Sequence, residues 1–174
     1  MVGSLLGSLL GTKYTIGELM QIDQGRQKRA GKCRVKLIKT IHRVKKEGLL
    51  DRFKSLFGGK NSVLIYNVIF KFEVTSDTGN HHTVYIKTSP DFSYADWKNN
   101  KVKLSCDCQD FKFRSAYQLN SRSSLYLTSS IRVNLGAALT DKPSGKAGST
   151  LLCKHAFAAI SWLKENYEKV MKTV

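Results

Sequence analysis

The chain has 174 residues, 41% of them hydrophobic, and a formal net charge of +16. That is enough apolar material for one core of ordinary domain size and too much for a disordered tail. No apolar run reaches the ~18 residues that a membrane-spanning helix requires, so an integral membrane protein is excluded, and the excess of positive charge points to a polyanion or an acidic protein surface as partner.

The opening Met-Val-Gly-Ser-Leu-Leu-Gly-Ser-Leu-Leu-Gly lacks the basic start of a secretory signal, which predicts a protein not exported through a signal peptide. Leu5, Leu6, Leu9 and Leu10 recur in pairs four apart and suit an arm docked in a neighbour's groove. Thr15-Ile-Gly-Glu18 has the form of a capping box, which predicts a short helix through about Lys28, limited by Gly25 and Gly31.

Most of the charge sits in one short stretch. Between Arg26 and Lys54 there are twelve basic residues against two acidic ones. Arg26, Lys28, Arg29, Lys32, Arg34, Lys36, Lys39, Arg43, Lys45 and Lys46 are the candidate polyanion- or partner-binding residues, acting on phosphates through charge rather than by reading sequence. A solvated face that only keeps the protein soluble is the plainer alternative. In Lys32-Cys-Arg-Val-Lys-Leu the basic residues alternate with Cys33, Val35 and Leu37, so a strand near 32–44 would turn one face to the core and a basic face outward. Leu49, Leu50, Phe53, Leu56 and Phe57 then mark one helical face, stopped by Gly58-Gly59.

Residues 62–75 form the clearest strand, long and rich in β-branched and aromatic side chains. Ser76–Asn80 reads as a turn and His82–Thr88 as the returning strand; Pro90 breaks the ladder, and Lys101–Cys106 supplies another strand. Ser124–Thr128 and Ile131–Leu135 are placed as one more hairpin. In the last segment Ala156, Ile160, Leu163, Tyr167 and Val170 recur every three or four residues, which predicts an amphipathic helix over 154–172. The expected fold class is α+β, an antiparallel sheet meander with a zinc-tethered C-terminal helix. Residues 1–60 would be an N-terminal arm and basic segment packed on the core, and 61–174 the sheet and zinc module, together one compact domain.

Cys106, Cys108, Cys153 and His155 stand as Cys-x-Cys, 44 intervening residues, then Cys-x-His. Three thiolates and an imidazole close a tetrahedral zinc shell with no vacancy, which points to one structural ion rather than a catalytic one. Side chains two apart on a strand point the same way, so Cys106 and Cys108 can share a cation. Cys153 would gain from the positive end of a helix dipole. Buried core cysteines and disulfides remain as alternatives, as does a ligand from His81-His82 in place of His155.

Ser-Cys-Asp-Cys-Gln-Asp-Phe at 105–111 and Cys-Lys-His-Ala-Phe-Ala-Ala-Ile at 153–160 resemble the two halves of the SWIM-type zinc finger. The resemblance covers residues 101 to about 165 and implies a strand–strand–helix zinc module that binds nucleic acid or protein partners without catalysis. The interval is longer than that family's pattern, with an extra segment over 111–139 and a flexible-looking stretch over 140–149. The whole chain is also similar to small proteins of tailed bacteriophages that carry Cys-x-Cys-x-Asp-Phe and Cys-Lys-His.

Two functions follow as expectations. One is a non-enzymatic structural component of a large assembly, a phage tail or baseplate, located in the virion or host cytoplasm and contacting other subunits. The other is a basic nucleic-acid-binding protein contacting phosphates through 26–54. No phosphate-cradling glycine loop is present, Gly58-Gly59-Lys60 lacks its spacing, and neither His42 nor Cys33 belongs to a recognisable catalytic motif.

Overall fold

A computed structural model describes residues 13–21, 24–44, 66–128 and 151–172. Several sequence expectations fall outside them: the leucine arm Leu5, Leu6, Leu9 and Leu10, the basic pair Lys45 and Lys46, the helix over 48–59, the strand Ile131–Leu135 and the stretch 140–149.

Two short helices begin the described chain, α1 (Ile16–Leu19) and α2 (Gln24–Ala30). The capping box forms as the sequence predicts: Glu18 N–H donates to Thr15 Oγ1 at 3.2 Å, and Thr15 N–H donates to Glu18 Oε2 at 2.7 Å. The single helix expected through Lys28 does not form. Ile16 N–H donates to Asn100 O at 2.9 Å, and at Gly17 a Cβ would lie 3.1 Å from Lys98 O. These contacts hold α1 on the 3-10 turn Trp97–Asn99, whereas α2 packs on the C-terminal helix. One straight helix could not reach both.

Four antiparallel strands follow, β1 (Arg34–Val44), β2 (Tyr66–Thr75), β3 (His81–Thr88) and β4 (Val102–Cys106), in the order β1-β2-β3-β4. The meander is the one read from the sequence. Alternation along β1 changes phase at Ile38, where the register with β2 shifts. Val35 and Leu37 pair with the buried Val74 and Phe72, but beyond the bulge it is Thr40 and His42 that pair with the inward Phe70 and Val68. A strict alternation of basic-out and apolar-in therefore holds only for the first half of β1, because one extra residue reverses every later side chain.

After β4, residues 109–121 form one helical run, a π-helical stretch Phe111–Ser115 leading into α3 (Ala116–Ser121). Phe111, Ser115, Ala116 and Leu119 are buried on it. Of the hairpin expected over 124–135, only Ser124–Thr128 is described: Leu125 makes a parallel bridge to Leu104, with Leu104 N–H donating to Ser124 O and Tyr126 N–H to Leu104 O, each at 2.8 Å.

The final helix, α4 (Lys154–Lys172), covers the inner face of the sheet. Phe70, Phe72, Val84, Ile86 and Leu104 from the strands are buried with Ala156, Ala159, Ile160 and Leu163 from the helix. Trp162 meets Phe72 edge-on at 5.7 Å between ring centres and Tyr167 meets Phe70 at 6.2 Å. At ~25 cal/mol per Å² of apolar surface, this packed layer is the main term holding helix to sheet. The architecture is α+β.

Candidate metal centre

The end of β4 and the start of α4 meet at one point. Cys106, Cys108, Cys153 and His155 are all buried, and their donor atoms lie within 4.8 Å of one another. The four residues could hold one metal ion. His155, and not a residue of the His81-His82 pair, completes the group.

Each half of the cluster is presented by a helix start. Cys108 accepts from Lys112 N–H through its carbonyl at 3.1 Å and from Phe111 N–H through Sγ at 3.3 Å. Cys153 repeats the arrangement with Phe157 N–H at 3.1 Å and Ala156 N–H to Sγ at 3.4 Å. Both sulfurs thus occupy the place a capping serine or aspartate oxygen takes, where amide donors and the helix dipole favour negative charge.

All three cysteines are free thiols rather than a disulfide. Burial pushes the Cys106 and Cys153 thiols well above the usual range. Cys108 goes the other way: hydrogen bonds from Cys106 and then Cys153 hold it far below.

His155 is buried with neither Nδ1 nor Nε2 hydrogen-bonded. An unsatisfied buried polar group costs about 1–3 kcal/mol, and coordination of a cation by one ring nitrogen would remove part of that cost. This orphaned imidazole beside three sulfurs is what a metal-binding group looks like from its own residues.

Surrounding groups fix the ligands. Asp107, between the two cysteines, accepts from Thr83 N–H at 3.0 Å through Oδ2, and its Oδ1 lies 3.1 Å from His82 Nδ1. His82 in turn lies against His155, ring centres 4.1 Å apart and the planes tilted by 37°. At the outer side Lys154 Nζ bridges to Asp77 Oδ1 at 2.6 Å, tying α4 to the β2–β3 turn. The same lysine hydrogen bond holds the Asp77 carboxyl below the usual carboxylate range.

Arg26 belongs to this centre and not to a polyanion surface. It is buried, donates Nη1 to Leu152 O at 2.9 Å, and its Nη2 lies 3.6 Å from Asp110 Oδ1. Leu152 precedes Cys153 and Asp110 follows Cys108 by two, so the guanidinium joins the two ligand segments. A long side chain that reaches the core from a short helix cannot be distinguished from its exposed neighbours by composition.

The other basic residues predicted from the sequence divide. Lys28, Arg29 and Lys32 are exposed on and after α2, and Arg34, Lys36 and Lys39 are exposed on β1. Arg43 lies within β1. Pairing adds lysines that the count over 26–54 passes over. On the sheet face opposite α4, Lys39 pairs with Lys71, Lys71 with Tyr85, and Lys87 with Lys103. Lys71 Nζ lies 5.8 Å from the centre of the Tyr85 ring, and Tyr126 stands 6.0 Å from Tyr85. Their outward alternation on each strand was the available signal, but only the register places them together. Glu73, opposite Lys36, is the acidic member of this face, and Ile69 and Ser105 are buried on it. Among the described residues no helix is long and apolar enough to cross a membrane.

Comparison with known proteins gave no matching family model, no matching curated protein and no matching solved structure.

Proposed function

We propose that the chain is a non-enzymatic, zinc-stabilised binding module that engages the phosphate backbone of nucleic acid through the basic outer face of its sheet. Its ligand pattern resembles the SWIM-type zinc finger, and one structural Zn2+ would be held by Cys106, Cys108, Cys153 and His155. Tetrahedral zinc at about 2.3 Å from sulfur places donors roughly 3.8 Å apart. The present spacing, within 4.8 Å, needs only a small contraction. Soft sulfur donors select zinc over the hard cations that prefer oxygen. With four protein donors the shell leaves no position for substrate or water, which supports a structural role.

The observation that carries the binding half is the like-charged rung Lys39–Lys71 on the outer face of β1 and β2, continued by Tyr85 on β3. Lysines directly opposite each other in an antiparallel pair repel, and Lys39 faces Lys71. A phosphate backbone lying on the face would relieve that repulsion and release counterions. Tyr85 beside Lys71 offers a ring for a base to stack on. The expectation of a structural component in a phage particle rests on the likeness to phage proteins and on Leu5, Leu6, Leu9 and Leu10, which lie outside the described residues.

Fluorescence anisotropy of the zinc-loaded protein with single-stranded and duplex oligonucleotides, across a salt series, tests the reading. Affinity should fall linearly on a log–log plot against salt, and Lys36→Ala/Lys39→Ala should reduce the slope by about 2. No binding at low salt, or a slope unchanged in the variant, would overturn it.

A further inference from the structure

The sheet has two edges, and the described chain closes one of them. β4 is covered at Leu104 by Ser124–Tyr126, through the parallel bridge from Leu125 and two backbone hydrogen bonds. β1, at the other edge, runs for 11 residues and pairs with β2 on one side. Among the described residues no backbone hydrogen bond meets its other side. Such an edge is a row of amide and carbonyl groups ready to accept another strand.

Charge decides among the strands that could fill it. Arg34, Lys36 and Lys39 are exposed along β1, and no acidic residue interrupts Arg34–Val44. A second copy would set this basic strand against itself, and the register shift after Leu37 spoils a matched pairing. The longer stretches outside the described residues are basic as well: 45–65 holds Lys45, Lys46, Arg52, Lys54 and Lys60 against Glu47 and Asp51, and 129–150 holds Arg132, Lys142 and Lys146 against Asp141. An acidic strand from another protein is the complementary occupant.

The two faces of β1 specify that strand further. Before the bulge Arg34 and Lys36 lie on the outer face, while Val35 and Leu37 pack half-buried against the core. A strand laid beside β1 alternates in the same way. Its acidic residues would stand next to Arg34 and Lys36, and its apolar residues would cover the surface that Val35 and Leu37 leave open. Ile38, 45% exposed at the bulge, adds a further apolar contact.

We infer that the free edge of β1 is a docking site for an extended segment of a partner protein in which acidic and apolar residues alternate. The backbone of β1 supplies the hydrogen bonds, Arg34, Lys36 and Lys39 select the charge, and Val35 and Leu37 select the apolar positions. The site depends on neither the nucleic-acid reading nor the metal. A phosphate backbone on the face of the sheet meets some of the same lysines but leaves the amide row of the edge unpaired.

A fluorescein-labelled peptide of alternating Glu and Val, about ten residues long, tests the edge on the full-length protein as purified, by anisotropy and by hydrogen exchange of the β1 amides. It should bind and slow exchange at alternate amides of Arg34–Lys39 by at least about tenfold, since every second residue of an edge strand points its N–H away from the neighbouring strand. Methylating the backbone nitrogens of the Glu residues or of the Val residues should abolish binding in one case and spare it in the other, because only one set faces β1. Lys36→Gln/Lys39→Gln should weaken the peptide by about fivefold, and Lys98→Gln/Lys164→Gln, an equal loss of charge at exposed positions elsewhere, by less than about twofold. No binding of the peptide, or binding that leaves the β1 amides unprotected and tolerates both methylations, overturns the edge. Oligonucleotide binding without the peptide assigns these lysines to nucleic acid alone and also overturns it. Peptide binding with protected β1 amides, and no oligonucleotide bound, keeps the edge and sinks the nucleic-acid reading.

Discussion

The two ends of β4 handle concentrated charge in opposite ways. At its carboxyl end, Cys106 joins Cys108, Cys153 and His155 in a buried cluster. At its amino end, Lys101 and Lys103 line a cleft with Lys13 and Lys87. The buried end meets the needs of its sulfurs internally, through the amides of Phe111 and Ala156 and a place for a cation. The lysine end keeps its charges partly or fully exposed, where water and salt screen them. Burial is what divides them: in a dry site a charge must be paired at once, whereas at a wet surface it can wait for a partner.

The strongest way to break this contrast is to remove the internal solution. Cys153→Ser should abolish stoichiometric zinc and destabilise the protein by more than about 5 kcal/mol, since metal binding is folding free energy in sites of this type. Elemental analysis and thermal melting with and without chelator report it; full zinc content with an unchanged melt would mean that the cluster of Cys106, Cys108, Cys153 and His155 does not stabilise the fold through a metal. Arg26→Ala comes next, at about 2 kcal/mol, because it leaves Leu152 O without its buried donor and Asp110 with Arg114 as its remaining arginine, while all four metal donors remain. Chemical denaturation of the zinc-loaded variant measures it, and a change below 1 kcal/mol would return Arg26 to the surface residues (roughly the surface-mutation range).

Thr15→Ala should cost about 1 kcal/mol by opening the capping box. Its partner Glu18 adds a pH test. The backbone N–H of Thr15 leads the causes that hold its carboxyl below the ordinary value of 4.5. A depressed folded value means that the contribution is complete above the ordinary carboxylate range and is lost as pH falls through the folded value. Glu18→Gln should therefore differ most from the unaltered protein near neutral pH, and the difference should shrink on acidification; subtracting the two curves isolates the cap. A difference that grows in acid would contradict the sign. The smallest effect belongs to the lysine end. Lys103→Gln removes one member of the Lys87–Lys103 pair and should raise stability by roughly 0.5 kcal/mol at low salt, with no gain at high salt.

Much of the molecule was legible along the chain. Alternation and turn residues marked the meander because a strand buried on one face must repeat every two residues, and the 3–4 spacing from Ala156 to Val170 marked α4 for the corresponding helical reason. The donor group could be read because thiols and imidazole in paired motifs have few competing explanations. Residues 111–121 were less readable: Phe111, Ser115, Ala116 and Leu119 follow a helical period interrupted by a π turn, and that one extra residue spoils the pattern. The bulge at Ile38 defeated the alternation of β1 in the same manner.

Sequence by itself determined the strand meander, the last helix, the four donors and the excess of positive charge, since each depends on residues close together or on chemistry that few side chains possess. Tertiary structure decided which charges do what. It drew Arg26 inward to join Leu152 and Asp110, and it set Lys87 against Lys103 and brought Lys13 to their cleft. Charge is a property of a residue, but its surroundings are set by strand register and packing, and those join positions that the chain keeps far apart.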